Sequence, residues 1–183
     1  MARFVSRAGQ KLDHALAAFD LDVSGQICAD FGSNTGGFVD CLLQRGAGKV
    51  YAIDTGYGAL DWKLRNDARV VVMERTNAMH AALPELATFI SIDVAWTRQR
   101  NILPAALRAL APGGNVVSLI KPHYEANASL LRRGLLPHEQ VRPVFEQVAG
   151  DIEAAGFEVV AVADSPVKGS GGNAELLAWL RRR

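Results

Sequence analysis

Two hydrophobic rhythms alternate along this chain. Short apolar runs at 26–31, 49–54, 70–73, 89–94, 115–120 and 157–163 read as strands. Between the first five lie helical or irregular stretches, such as 38–45, 59–65 and 98–110. The opening segment SRAGQKLDHALAAF places Leu12, Leu16 and Phe19 at helical spacing, with Ser6 as the expected N-cap. Short strands alternating with helices predict a parallel sheet covered on both faces. The stretch APGGN, from Ala111 to Asn115, predicts a helix stop and a turn. A long helix is expected over 137–156, kinked or broken at Pro143. After the glycine-rich VKGSGGN comes a last strand, AELLAWL. A short loop joins it to the strand before, so the two should run antiparallel. The expectation is a doubly wound α/β fold with a seven-stranded, mostly parallel sheet and an antiparallel last strand. Residues 122–137 are the least regular and are expected to form a mobile loop. Without repeats or a long linker, the chain reads as one domain over 1–183. An N-terminal helical segment (1–24) carries Lys11, and the core spans 25–183.

Composition narrows the function classes. A chain of 183 residues can bury a sizeable core. Twenty Lys and Arg against nineteen Asp and Glu leave a net charge of +1, so any RNA contact must use a local patch. Cys28 and Cys41 are expected to be buried thiols, because two isolated cysteines make neither a disulfide framework nor a metal site. The four histidines share no spacing, which also argues against a metal. No apolar run approaches a membrane span, and the N-terminus lacks the apolar core of a signal peptide. A cytoplasmic protein with no membrane partner is expected.

The loop after the first strand reads DFGSNTGGF, Asp30 to Phe38. Open α/β folds bind ligands at this edge, near the reversal of strand order. Glycines let the backbone approach a ligand, and the following helix offers free N–H groups. The spacing Gly32, Gly36, Gly37 is not the G-x-G-x-x-G of a dinucleotide site. No Lys-Ser or Lys-Thr follows to make a P-loop. Asp30 suits a ligand with a positive amino group better than a pyrophosphate. Asp54, 22 residues after Gly32, stands where a carboxylate receives ribose hydroxyls. These features point to S-adenosylmethionine (SAM), which carries an ammonium and a sulfonium but no phosphate. The expected contacts are the loop residues Asp30, Gly32, Ser33, Asn34, Thr35, Gly36, Gly37 and Phe38, together with Asp54 and Asp93. Taken alone, the loop also fits a tight strand–helix turn with a capping Asp.

The strand ends indicate the acceptor. Amino-nitrogen methylases of bases commonly carry Asn/Asp-Pro-Pro-aromatic after the fourth strand, whereas this chain has IDVAW, Ile92 to Trp96. A ring-carbon methylase needs a cysteine nucleophile near the substrate, and neither Cys28 nor Cys41 is placed for it. Asp93 and Lys121 end the fourth and fifth strands and should reach one sheet edge. A hydroxyl acceptor must lose its proton as it attacks, which calls for a general base. A lysine serves when burial and a second cation favour its neutral form, and Lys11 is the candidate cation. A plain ion pair at a loop edge is the alternative for Asp93 and Lys121.

The segments VSRAGQKL, DFGSNTGGFVDCLLQRGAGKVYAIDTGYGALDWKLRND, ERTNA, SIDVAW, IKPHYEA and KGSGGNAELL cover nearly the whole chain. They resemble the hemolysin A (TlyA) family, ribosomal RNA 2′-O-methyltransferases with an FtsJ-like catalytic domain. The resemblance implies a Rossmann-like SAM-dependent methyltransferase fold and an RNA partner, either ribosomal RNA or a ribosomal subunit. It also implies a Lys-Asp-Lys-Glu tetrad of Lys11, Asp93, Lys121 and Glu175. In that scheme Lys121 takes the 2′-hydroxyl proton, Asp93 and Glu175 orient it, and Lys11 supports its neutral form and holds the ribose. Three departures stand out. Family members usually begin with an S4-like RNA-binding domain, whereas this chain starts almost at the catalytic domain. Ala8–Gly9 stands where the family commonly has a Gly pair, and Ala95–Trp96 where it has a Ser-Phe type. These two changes bear on target choice. Nothing in the sequence looks pore-forming, despite the family name.

Other residues carry two readings each. Arg3 and Arg7 can contact phosphates or form a solvated helix face with Asp13 nearby. Arg132 and Arg133 lie in the expected loop, and residues 181–183 read as a solvated tail. Trp96 and Tyr124 can stack on a base, with core packing as the alternative for Trp96. DWKLR (Asp61 to Arg65) can line the cofactor pocket or cap a helix, and His123 can touch substrate. The competing functions are a small-molecule O-methyltransferase, a non-catalytic RNA- or ribosome-binding protein, and an NAD-linked oxidoreductase.

Overall fold

A computed structural model describes residues 3–183. The chain order is α1 (Ala8–Ala18), β1 (Ile27–Phe31), α2 (Gly37–Gln44), β2 (Lys49–Ile53), α3 (Trp62–Arg65), β3 (Val70–Met73) and β4 (Ala87–Ile92), followed by α4 (Gln99–Ala109), β5 (Leu110–Ile120), α5 (Pro122–Glu125), α6 (His138–Ala154), β6 (Phe157–Asp164) and β7 (Leu176–Arg182). The seven strands form one sheet in the order β3-β2-β1-β4-β5-β7-β6. β7 runs antiparallel to both β5 and β6, and the remaining pairs are parallel. This is the expected doubly wound α/β sheet. The last strand inserts between β5 and β6.

Each face of the sheet packs its own apolar layer. On one, Leu12 and Leu16 of α1 join Phe38 and Leu42 of α2 over Cys28, Val50 and Phe89. On the other, Ile102 and Leu103 of α4 join Val144, Val148 and Ile152 of α6 over Phe31, Ile90 and Ile92. The central strands are buried on both faces, so their side chains are apolar without alternation. Edge strand β6 alternates instead, with Glu158, Val160 and Val162 outward.

Five local expectations differ in detail. Arg7 is the N-cap of α1, and its side chain makes no capping bond; the Ser6 carbonyl accepts from Gly9 N–H instead. α6 runs unbroken through Pro143, which lies in its second turn and removes only one backbone bond there. Leu110 already pairs with Ala87, and the register shifts across the APGG turn before Asn115 pairs with Phe89. Residues 122–137 are fastened rather than loose: they hold α5, a 3₁₀ turn at Ala128–Leu130 and a bridge between Arg132 and Leu135. Buried Asn173 ties them down, accepting from Leu136 N–H at 2.9 Å and donating to the Gly134 carbonyl at 3.1 Å. Arg181 and Arg182 belong to β7 rather than to a solvated tail.

Candidate active site

The functional side chains meet because of strand direction. Asp30 lies in β1, Asp93 follows β4 and Lys121 follows β5, all at the C-terminal edge of the parallel strands. β7 runs the other way, so its beginning reaches the same edge. Leu176 pairs with Ile120, which brings Glu175 beside Lys121. Lys11 comes from α1, which lies against α2. Asp13 fixes this helix by accepting from Arg45 Nε at 2.8 Å, and Asp40 holds the preceding segment by accepting from Val5 N–H at 2.8 Å. Gly37 allows the close approach: a Cβ there would meet Ser6 Oγ and would lie 2.8 Å from Gly9 N.

Lys11, Asp93, Lys121 and Glu175 all line one cavity of about 270 Å³. They form two ion pairs. Lys11 Nζ lies 2.5 Å from Glu175 Oε2, and Lys121 Nζ lies 2.7 Å from Asp93 Oδ1. Lys121 also donates to the Val94 carbonyl at 3.2 Å. Glu175 therefore partners Lys11, where the resemblance implied that it would orient Lys121. Lys11 and Glu175 are nearly dry, with side chains 11% and 3% exposed. Removing either partner would strand a buried charge, at a cost of about 3–5 kcal/mol.

The glycine loop forms the adjoining wall. Asp30, Gly32, Ser33, Asn34, Thr35, Gly37 and Phe38 line the same cavity. Gly32 has φ +90°, and a Cβ there would collide with the Asp93 carbonyl, so the loop and the end of β4 touch backbone to backbone. Gly36 lines neither main cavity. It takes φ +100° and packs against Leu60 and Leu64, so its role is in the turn. Asp30 is fully buried and accepts from Ser91 Oγ at 2.6 Å, while its Oδ2 has no hydrogen-bond partner. Burial pushes its carboxyl up to about 8, against the Ser91 bond, and the neighbouring Asp93 and Asp54 push the same way.

A second cavity of about 450 Å³ shares Gly32, Asn34, Asp93 and Ala95 with the first. Asp54 stands in it, holding the glycine loop by accepting from Asn34 N–H at 2.8 Å and its own turn by accepting from Gly56 N–H at 2.7 Å. Asn77, Ala78, Met79 and Ile102 complete its far side. The site expectations missed these four; the motif ERTNA contains two of them but carries no chemistry of its own. DWKLR contributes to neither cavity. Asp61 caps α3 by accepting from Lys63 N–H.

Aromatic rings rim both cavities: His123 and Tyr124 line the first, and Trp96 lines the second. Trp96 is 84% exposed at φ +57°, which removes core packing as its role. Its ring centroid lies 4.8 Å from that of Tyr124, which lies 4.1 Å from His123. Burial and then the Lys121 charge lower the His123 pKa, so His123 is neutral near pH 7. Cys28 and Cys41 are buried, and burial pushes each thiol up to about 12, which disqualifies them as nucleophiles. Among the described residues, no cluster of His, Cys, Asp and Glu is disposed to hold a metal, and no helix is long and apolar enough to cross a membrane.

A cleft over a glycine loop at the switch point of a seven-stranded sheet, with β7 inserted antiparallel between β5 and β6, is the architecture of the Rossmann-like methyltransferases. The family model for FtsJ-like methyltransferases matches residues 4–182, and the chain belongs to that family. It is 42% identical to YqxC of Bacillus subtilis (strain 168), over 97% of this chain and 66% of that protein. It is 40% identical to the 16S/23S rRNA (cytidine-2′-O)-methyltransferase TlyA of Mycobacterium tuberculosis, over 97% of this chain and 68% of that one. A solved structure from Streptococcus thermophilus that carries a hemolysin name superposes with a TM-score of 0.96 at 42% identity, covering 100% of this chain and 68% of that one. The chain thus spans about two thirds of the length of these relatives. The fold alone is shared with more distant structures. One is N-methyltransferase NodS of Bradyrhizobium japonicum in complex with S-adenosyl-L-homocysteine (17% identity, TM-score 0.65, 96% of this chain and 86% of that one).

Proposed function

We propose that this chain methylates a ribose 2′-hydroxyl of RNA, with SAM as methyl donor and ribosomal RNA as substrate. The carrying observation is the pair of lysine–carboxylate contacts on one cavity that opens onto the glycine loop. The donor set fits SAM. Asp30 presents a buried acceptor without a partner, suited to an ammonium, and Asp54 stands in the adjoining cavity for ribose hydroxyls. When bound there, SAM supplies an electrophilic methyl. Lys121 takes the proton from the attacking hydroxyl, and Asp93 fixes its Nζ in line with the cavity. Glu175 holds Lys11, whose ammonium seats the ribose. Most of the rate comes from alignment, since the methyl is already activated. α1 is part of this single catalytic unit, because Lys11 completes the cavity.

The names of YqxC and TlyA support ribosomal RNA as the substrate, and such a substrate supports a cytoplasmic reaction. The exposed Trp96 at the rim supports a polymer held in an open groove over a small molecule enclosed in a pocket. The test is to incubate the protein with labelled SAM and ribosomal subunits lacking the modification, then digest the RNA to nucleosides. Label in 2′-O-methyl nucleosides is expected. Label in a methylated base would overturn the reading.

A further inference from the structure

α1 and the loop before β7 leave a smaller hollow beside the ion pairs. It measures about 210 Å³, and Ser6, Arg7, Lys11, Lys168 and Gly169 are among its walls. Ser6 and Lys11 also line the catalytic cavity, so the two spaces adjoin. Gly169 lies directly against the Glu175 carboxylate, where any Cβ would collide.

The cations here differ from their neighbours. Arg3 is neutralised by a two-pronged contact with Asp13 at 2.6 and 3.1 Å, and Arg45 shares that carboxylate. Arg7 and Lys168 are exposed, and among the described residues neither has an acidic partner within 4 Å. Two free positive charges on one hollow attract an anion. The arginine fork matches phosphate oxygens, and the lysine adds a point charge. In a polynucleotide the phosphates are covalent neighbours of the ribose, so an anion site next to Lys11 lies where the strand must continue.

Building on the 2′-hydroxyl reading, we propose that this hollow seats the RNA backbone phosphate adjoining the target ribose, with Arg7 and Lys168 as its contacts. The experiment compares wild type, the double variant Arg7→Gln/Lys168→Gln and the control Arg3→Gln. Methyl transfer to ribosomal RNA is followed over a salt series, with SAM affinity measured separately. In the double variant, KM for RNA rises on the order of tenfold, and the log–log salt slope falls by about 0.7–0.9, the share of one phosphate. Its kcat and SAM affinity stay at wild-type values, and Arg3→Gln behaves as wild type. A double variant with unchanged KM and slope overturns the subsite and leaves the 2′-hydroxyl reading standing. A double variant that also loses SAM affinity has a structural defect, and it too overturns the subsite. A wild type that methylates no RNA overturns both.

Discussion

Asp30 should release a proton when SAM binds. Its carboxyl is wholly buried, Oδ2 lacks a partner, and burial pushes it up to about 8. At pH 6.5 it sits about 1.5 units below that value and is almost all protonated. An ammonium docking against it favours the carboxylate, so binding should expel close to one proton. Affinity should then rise about tenfold per pH unit on the way up to pH 8, roughly 1.4 kcal/mol each. The assay is calorimetric titration of SAM at pH 6.5 in two buffers of very different ionisation enthalpy, with Asp30→Asn beside the wild type. Close to one proton should leave the wild type and almost none the variant. The same raised carboxyl acts on the protein without ligand. The folded state keeps a proton that the unfolded chain loses, so this group's contribution to stability is full below about pH 4 and is lost as pH rises to about 8. The melting temperature of Asp30→Asn should therefore gain on wild type as pH climbs from 4 to 8. Equal heats in both buffers for wild type, or unchanged proton release in Asp30→Asn, would refute this reasoning.

Three further outcomes rest on the same geometry. Gly32→Ala forces a methyl into the Asp93 carbonyl at φ +90°, so it should abolish SAM binding in equilibrium dialysis. Trp96→Ala should raise KM for RNA by roughly tenfold or more at saturating SAM, the worth of one lost base stack. Glu175→Gln leaves Lys11 a nearly dry, uncompensated charge, so it should lower the melting temperature as well as kcat, whereas the double variant Lys11→Met/Glu175→Gln should recover stability but not activity.

The sheet was legible because its central strands are apolar runs that no amphipathic helix could present. The edge that carries the site was legible for the same reason: strand ends located Asp30, Asp54, Asp93 and Lys121. Features that depend on distant partners left no local signal. The pairing of Lys11 with Glu175 spans 164 positions, and Asn173 fastens residues 134–136 from across the fold. Pro143 reads as a breaker by itself, yet Val144, Val148 and Ile152 pack α6 onto the sheet and carry the helix through it. The packing of Gly36 against Leu60 and Leu64 was not legible either, because both come from a segment the loop motif does not include. Trp96 was undecided because an aromatic after a strand fits core and surface equally until its backbone is known to turn outward.

The central claim is that Lys121 is the base that frees a ribose 2′-hydroxyl for methyl transfer. The direct measurement is single-turnover transfer of labelled methyl from SAM to unmodified ribosomal subunits, comparing wild type with Lys121→Ala at saturating SAM. The account predicts 2′-O-methyl nucleosides from wild type, and a loss of at least about a hundredfold in rate with SAM affinity retained in the variant. A variant that transfers methyl to the 2′-hydroxyl at the wild-type rate would contradict it.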